Sequence, residues 1–377
     1  MSTPGTPAKA PVTPRLALIA IIALVIAGLT AVDRFLAKAQ ESEVQHLAQR
    51  SHADGVSFRR TGKINDAIEA FRKAHALEPK QTEYELDLID SLIAARKLDQ
   101  AELLMRDALD REPNDGRANL LAAHLMIANG KPDDAESYYH RAIYGEWPSH
   151  AVARRVSVRM ELSDFLAARG KHEELLAELL PLQEEAGKDP ATRQRLAPLF
   201  LAAGSPSRAA DEYRALIKQN RNDAAAYVGL GEAELQLGEY GVAHEAFLAA
   251  AARKSVDPSI QQKLEVSSTL MGLDPTPRKL TSIEKYRRSL QIMDLARSSL
   301  ESCGPSHPEL NSGETGQLLT SANQMLTSKP PAVITNELAE DALSLAEQMW
   351  QARLKTCGAP VSPSEESLRL IMEKLAQ

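Results

Sequence analysis

The strongest constraint on this chain is a recurrence of 34 residues. Ala67, Phe71, Ala74 and Pro79 return as Ala101, Met105, Ala108 and Pro113, and then as Ala135, Tyr139 and Ala142. After a six-residue insertion, Tyr144 to Pro148 and its flank, the series resumes with Gly170, Leu175, Leu179 and Leu182. Gly204, Ala209, Tyr213 and Leu216 follow, then Gly238, Ala243, Phe247 and Ala250. The starts fall at 48, 82, 116, 156, 190 and 224. A unit this short cannot bury an apolar face alone, so copies must stack on their neighbours. Only 16 of 377 residues are aromatic, which argues against an all-β domain, where aromatic and β-branched residues are enriched.

The pattern resembles the tetratricopeptide repeat (TPR) family. The match covers residues 48–257, with small residues at positions 8 and 20 of the repeat, Gly at 15 and a large apolar residue at 24. The resemblance implies an all-α solenoid of about six helix-turn-helix units. Gly55 with Ala67, Ala123 with Ala135 and Gly231 with Ala243 are expected to let two helices cross closely. Phe71, Met105, Tyr139, Leu179, Tyr213 and Phe247 are expected to insert into the next repeat. Ile89 replaces a small residue, and Pro181 and Pro198 fall inside expected helices, where kinks or shortening follow. The insertion around Trp147 reads as a local bend rather than a dedicated binding loop.

The resemblance also implies a concave face lined by the first helix of each repeat. Family members that clamp a peptide carboxylate use Lys, Arg and Asn there, and that set is not recognised here. The residues expected to line the groove are His52, Leu86, Asp90, Leu120, His124, Met160, Asp164, Val228 and Glu232. Such a groove is apolar with an acidic rim, suited to an apolar or partly basic helix or extended segment of a protein partner. The alternative is that Leu86, Leu120 and Met160 pack inside the array.

Residues 1–15 form a polar leader, and Leu16 to Val32 is a run of 17 without a charge, just long enough to span a bilayer as a helix. It reads as a transmembrane anchor, with a cleaved signal segment as the alternative, because Ala37-Lys38-Ala39 has a cleavage-site form. A juxtamembrane helix, 33–47, follows. Lys and Arg are balanced across the run, so the short leader and long remainder argue for a single-pass protein with its bulk extracytoplasmic, on the periplasmic side of a bacterial inner membrane.

Beyond the repeats, 258–273 is expected to cap the array and 274–280 to act as a hinge. Residues 281–377 then form a small helical bundle whose helices begin at capping boxes Thr281/Glu284 and Ser362/Glu365. Both cysteines lie at helix ends there, Cys303 and Cys357, and an oxidising compartment would pair them as a disulfide.

No chemistry announces itself. His172 and His244 each begin a zinc-protease motif that lacks its second His. No phosphate loop, nucleophile elbow or dinucleotide fingerprint is present, so neither cofactor nor metal is expected. Arg278, Lys279, Lys285, Arg287 and Arg288 read as a solvated face. The net charge of −7 leaves no basic excess for nucleic acid. The expected function is a non-enzymatic, membrane-tethered scaffold for envelope assembly or complex organisation. Two alternatives stand beside it: a catalytic or accessory module in 281–377, or a self-assembling protein that dimerises through the stripe from Ile283 to Leu300. A homo-oligomer is open but not indicated.

Overall fold

A computed structural model describes residues 14–185, 189–254, 257–303, 307, 312–358 and 363–376, without the side chains of 14–17, 20, 363 and 364. Residues 1–13 of the leader and Ser362 of the second capping box therefore lie outside the described residues. Seventeen helices account for nearly all of the described chain, and among the described residues the only extended pairing is a single bridge, Asp115 to Glu146. The chain divides into two compact units, 1–162 and 163–377.

The first unit holds α1 (Pro14–Arg60), α2 (Ile64–Leu77), α3 (Thr82–Ala94), α4 (Leu98–Arg111), α5 (Gly116–Ala128) and α6 (Pro132–Tyr144). The division falls inside α7 (Ala151–Ala168). Helix starts agree with the repeat phase at 82 and 116, whereas α1 runs through position 48 unbroken and α7 begins five residues before 156. Local chemistry sets these ends. Repeat position 15 takes a left-handed backbone at Gly62, Gly130, Gly170, Gly204 and Gly238, as the closing turn requires. Arg96 holds the same conformation, φ 59°, without being glycine. The Asp115, Asp189 and Asp223 carboxylates accept the backbone N–H of Ala118, Thr192 and Ala226, capping α5 and two later helices.

Close packing within a repeat depends on a missing side chain. A Cβ on Gly55 would lie 2.6 Å from the Phe71 ring, and one on Gly231 would lie 2.4 Å from the Phe247 ring. These rings therefore close on the glycine of their own repeat, and Phe71 also shares one buried cluster with Leu86 and Ile89 of the next. Tyr213 does reach forward, onto Gly229 of the following repeat. Where Ile89 replaces the small residue, the opposing knob is Met105, and both are buried in one cluster; an unbranched thioether adapts to a branched neighbour.

The second unit contains α8 (His172–Glu185), α9 (Pro190–Ala202), α10 (Pro206–Gln219), α11 (Ala224–Gln236), α12 (Tyr240–Ala251) and α13 (Pro258–Leu273). Pro181 and Pro198 sit inside α8 and α9 without shortening them, since these helices have 14 and 13 residues like their siblings. Pro198 is exposed and Pro181 half-buried, so water can reach the carbonyls their missing N–H groups leave unbonded.

The last helices are α14 (Ser282–Cys303), α15 (Gly313–Thr327), α16 (Asn336–Cys357) and α17 (Pro363–Leu375). Thr281 accepts the Glu284 N–H as the capping box requires. These helices do not form a bundle of their own. Ile292, Met293, Ala346, Met349 and Ile371 share one core with Tyr240 of α12 and Leu270 and Leu273 of α13. The segment expected to hinge is pinned. Asp274 is buried, its carboxylate accepts from Thr276, and Lys374 of α17 donates to it at 2.7 Å and to the Gly238 carbonyl at 2.7 Å. The stripe expected to dimerise is used internally, with Tyr286, Met293 and Leu300 buried, while Ile283 is left exposed.

Among the described residues, no helix is long and apolar enough to cross a membrane. The run Leu16–Val32 lies within α1, with the side chains of Leu16, Ala17 and Ala20 left undescribed. Within α1, nine large apolar side chains from Leu18 to Val32 are each at least half exposed.

Candidate partner-binding face

The first helices of the repeats meet through charges rather than through an apolar groove. In the first unit, Asp87 of α3 accepts from His52 of α1 at 2.6 Å, from Arg59 of α1 at 3.1 Å and from Arg117 of α5 at 2.6 Å. Arg59 also donates to Asp90 at 2.9 Å. The Asp87 side chain is 5% exposed, whereas both arginines are 33% exposed. Burial pushes the Asp87 carboxyl up, but Arg117, His52 and Arg59 together outweigh it and hold the group below the usual carboxylate range. The His52 ring packs against Tyr84 with centroids 4.7 Å apart and planes tilted by 30°.

A second junction joins α5 to α7. Glu161 accepts from His124 at 2.5 Å and from the Tyr139 hydroxyl at 2.8 Å. Burial raises the Glu161 pKa, and the His124 and Tyr139 bonds reverse that, leaving it lowered. Burial and the Glu161 bond push the Tyr139 hydroxyl up. In the second unit, Arg195 donates to Asp164 at 2.6 Å, and Lys263 pairs with Glu232 at 2.7 Å.

Of the residues expected to line a groove, Leu86 and Met160 are buried core residues, Leu86 within the cluster of the first repeats. Leu120 and Val228 are half-buried. The polar members His52, Asp90, His124, Asp164 and Glu232 all face partners on a neighbouring element. Arg59, Asp87, Arg117 and Glu161 stand at repeat positions 12, 6, 2 and 6, whereas the residues expected to line the groove stand at positions 5 and 9. Their signal is opposite charges separated by 28 to 37 residues, about one repeat. His52, Glu83 and Asp87 bring three donors within 4.8 Å. Two arginines already neutralise Asp87, and a divalent cation would have to displace them.

The insertion folds back on the start of α5. Glu146 donates its N–H to the Asn114 carbonyl at 2.7 Å and accepts from the Gly116 N–H at 2.9 Å. Trp147 donates to the Ala142 carbonyl at 2.9 Å, and its ring lies 2.4 Å from where a Gly116 Cβ would stand. A cleft of about 390 Å³ lined by Glu112, Asn114, Asp115, Glu146 and Trp147 flanks this tie.

In the second unit, Cys303 and Cys357 are disulfide-paired with their Cα atoms 6.4 Å apart, inside the range the bond requires. One turn back from them, Arg353 donates to Glu365 at 2.8 Å and to Ser299 at 3.2 Å, and Ser299 donates to Glu365 at 2.6 Å. All three are buried, and these convergent polar groups satisfy one another. His172 meets the Ala202 carbonyl and His244 the Ser267 hydroxyl.

Models of the tetratricopeptide repeat match residues 59–125 and 92–145 and, in the second unit, 195–258. No curated protein matches in a sequence comparison. Among solved structures, the chain is similar to PilW, a widely conserved type IV pilus biogenesis factor, at 16% identity and a TM-score of 0.42, covering 58% of this chain and 98% of that one. YrrB, a TPR protein with an unusual peptide-binding site, aligns at 16% identity and a TM-score of 0.42, covering 52% of this chain and 98% of that one. The C-terminal part of a TPR repeat-containing protein from Cytophaga hutchinsonii aligns at 10% identity and a TM-score of 0.43, covering 84% and 99%.

Proposed function

From the premise that this chain belongs to the tetratricopeptide-repeat family, we propose that it is a non-enzymatic scaffold that holds a protein partner on the first-helix face of its repeats. The observation that carries this reading is the set of inter-repeat ion pairs. Asp87 on that face is buried, but three other carboxylates keep much of their surface in water, Asp90 and Glu161 at 42% and Asp164 at 52%. Exposed pairs of this kind contribute about 0–1 kcal/mol each, so a partner's charges can replace them at small cost. Asp90, Glu161 and Glu232 are each more open than the cation they meet, so the partner is an extended, partly basic segment. Leu120 and Val228 supply limited apolar contact beside them.

The scaffold is tethered to a membrane by Leu16–Val32, with its bulk outside the cytoplasm, where it serves envelope assembly or complex organisation. Support comes from the uncharged run in the sequence and from the apolar side chains that α1 leaves uncovered. Burial of one such side chain is worth about 1.5–3 kcal/mol, and lipid provides it for all of them. The Cys303–Cys357 pair fits an oxidising compartment.

A photo-reactive residue at His124 in the full chain, activated in cells, tests the partner face. Capture of a protein through a basic segment, abolished by Asp90→Lys with Glu161→Lys, is expected. Equal capture from Leu103, an exposed residue of α4, would count against it. Resistance to carbonate extraction and activity of a C-terminal reporter that works only outside the cytoplasm test the tether; a protein released by carbonate, or a silent reporter, would remove it.

A further inference from the structure

We propose that Cys303, His307 and Cys357 form a reduction-gated metal site for a borderline-soft divalent cation of the Zn²⁺ class, distinct from the partner face. The two sulfurs and an imidazole nitrogen lie within 4.8 Å of one another. Tetrahedral zinc with bonds of about 2.3 Å to sulfur and 2.0–2.1 Å to nitrogen places its donors roughly 3.5–3.8 Å apart. Metal binding then requires the sulfur pair to open and the imidazole to close to that spacing. The Cα separation of 6.4 Å lies toward the wide end of the disulfide range and leaves room for two thiolates on one ion.

Two further features favour a cation. Cys303 ends α14 and Cys357 ends α16, so both helices direct the negative ends of their dipoles at the site. The nearest buried cation, Arg353, is already neutralised by Glu365 at 2.8 Å, so its charge does not oppose the metal. All three ligands are half-buried, which limits competing water while leaving a path for the ion. Three protein ligands leave the fourth tetrahedral position to water.

The chemistry is balanced by a dithiol donor. It gives two electrons and two protons to the Cys303–Cys357 bond, which breaks to two thiols as the donor closes its own disulfide. The metal then displaces one proton from each thiol. The ends of α14 and α16 stay clamped in both states, by the sulfur–sulfur bond or by the ion.

The test uses the full chain, reduced with a phosphine, desalted without oxygen and titrated with Co²⁺ as a spectroscopic probe. One Co²⁺ per chain with thiolate charge-transfer absorption, displaced by Zn²⁺, is expected. His307→Ala should weaken binding at least ~10-fold while the oxidised variant still forms its disulfide, which shows that the fold persists. Cys303→Ser with Cys357→Ser should lose the absorption. Reduced wild-type protein that binds no more Co²⁺ than the double serine variant, or His307→Ala that binds as tightly as wild type, would overturn the site.

Discussion

Gly231→Ala is the sharpest probe of how these repeats are packed. Gly231 lies inside α11, where alanine is favoured over glycine by about 1 kcal/mol in a helix interior. A Cβ there would stand 2.4 Å from the Phe247 ring, which is completely buried and cannot turn aside. Overpacking of this kind costs about 1–3 kcal/mol, so the net effect is a destabilisation of about 1 kcal/mol. For a unit of this size that lowers the melting midpoint by roughly 2–4 °C. Phe247→Ala removes all three ring carbons that crowd the new methyl group, Cε1, Cδ1 and Cζ, and in that background the same Gly231→Ala change should stabilise by up to about 1 kcal/mol. The four proteins form a double-mutant cycle with a coupling energy of about 2 kcal/mol. Calorimetry of the full chain, with hydrogen exchange on α11 and α12 to assign the transition, is the assay, since two compact units need not melt together. A Gly231→Ala effect of the same sign and size in both backgrounds would refute the idea that the absent Cβ sets the helix approach.

Acid should weaken the first unit through Asp87 and Glu161. Both titrate below their ordinary 3.8 and 4.5 in the fold, so the unfolded chain takes up their protons first. Their stabilisation is complete above about pH 5 and is lost as pH falls through the folded values; Asp87→Asn should flatten that slope and cost about 3 kcal/mol at neutral pH, as read from urea melts across pH. Lys374→Met leaves Asp274 buried and unpaired and should release α17, for a loss of about 3 kcal/mol. Adding Asp274→Asn should recover most of the loss, measured by exchange protection of α17. Cys357→Ser opens a loop of 54 residues and should destabilise the oxidised second unit by up to about 4 kcal/mol, an effect that vanishes when both proteins are melted under reductant.

The sequence by itself determined the repeat phase, the helix starts at 82, 116, 190 and 224 and the four helices after residue 280. Each rests on chemistry confined to a few neighbouring residues. A left-handed residue at position 15, an Asp before the first turn and apolar spacing of three and four act whatever lies across from them. Arg96 shows the margin of that rule: the turn is imposed by the flanking helices even without glycine. Tertiary structure decided the rest. Whether Leu86 lines a groove or joins a core depends on how far α3 is rotated against its neighbours, and no residue within α3 records that angle. The cluster on Asp87 draws on α1, α3 and α5, so its members are adjacent only once the helices stack. The merging of α14, α16 and α17 with α12 and α13 is of the same kind. An apolar stripe states that a face will be buried, and which face buries it is a property of the assembled chain.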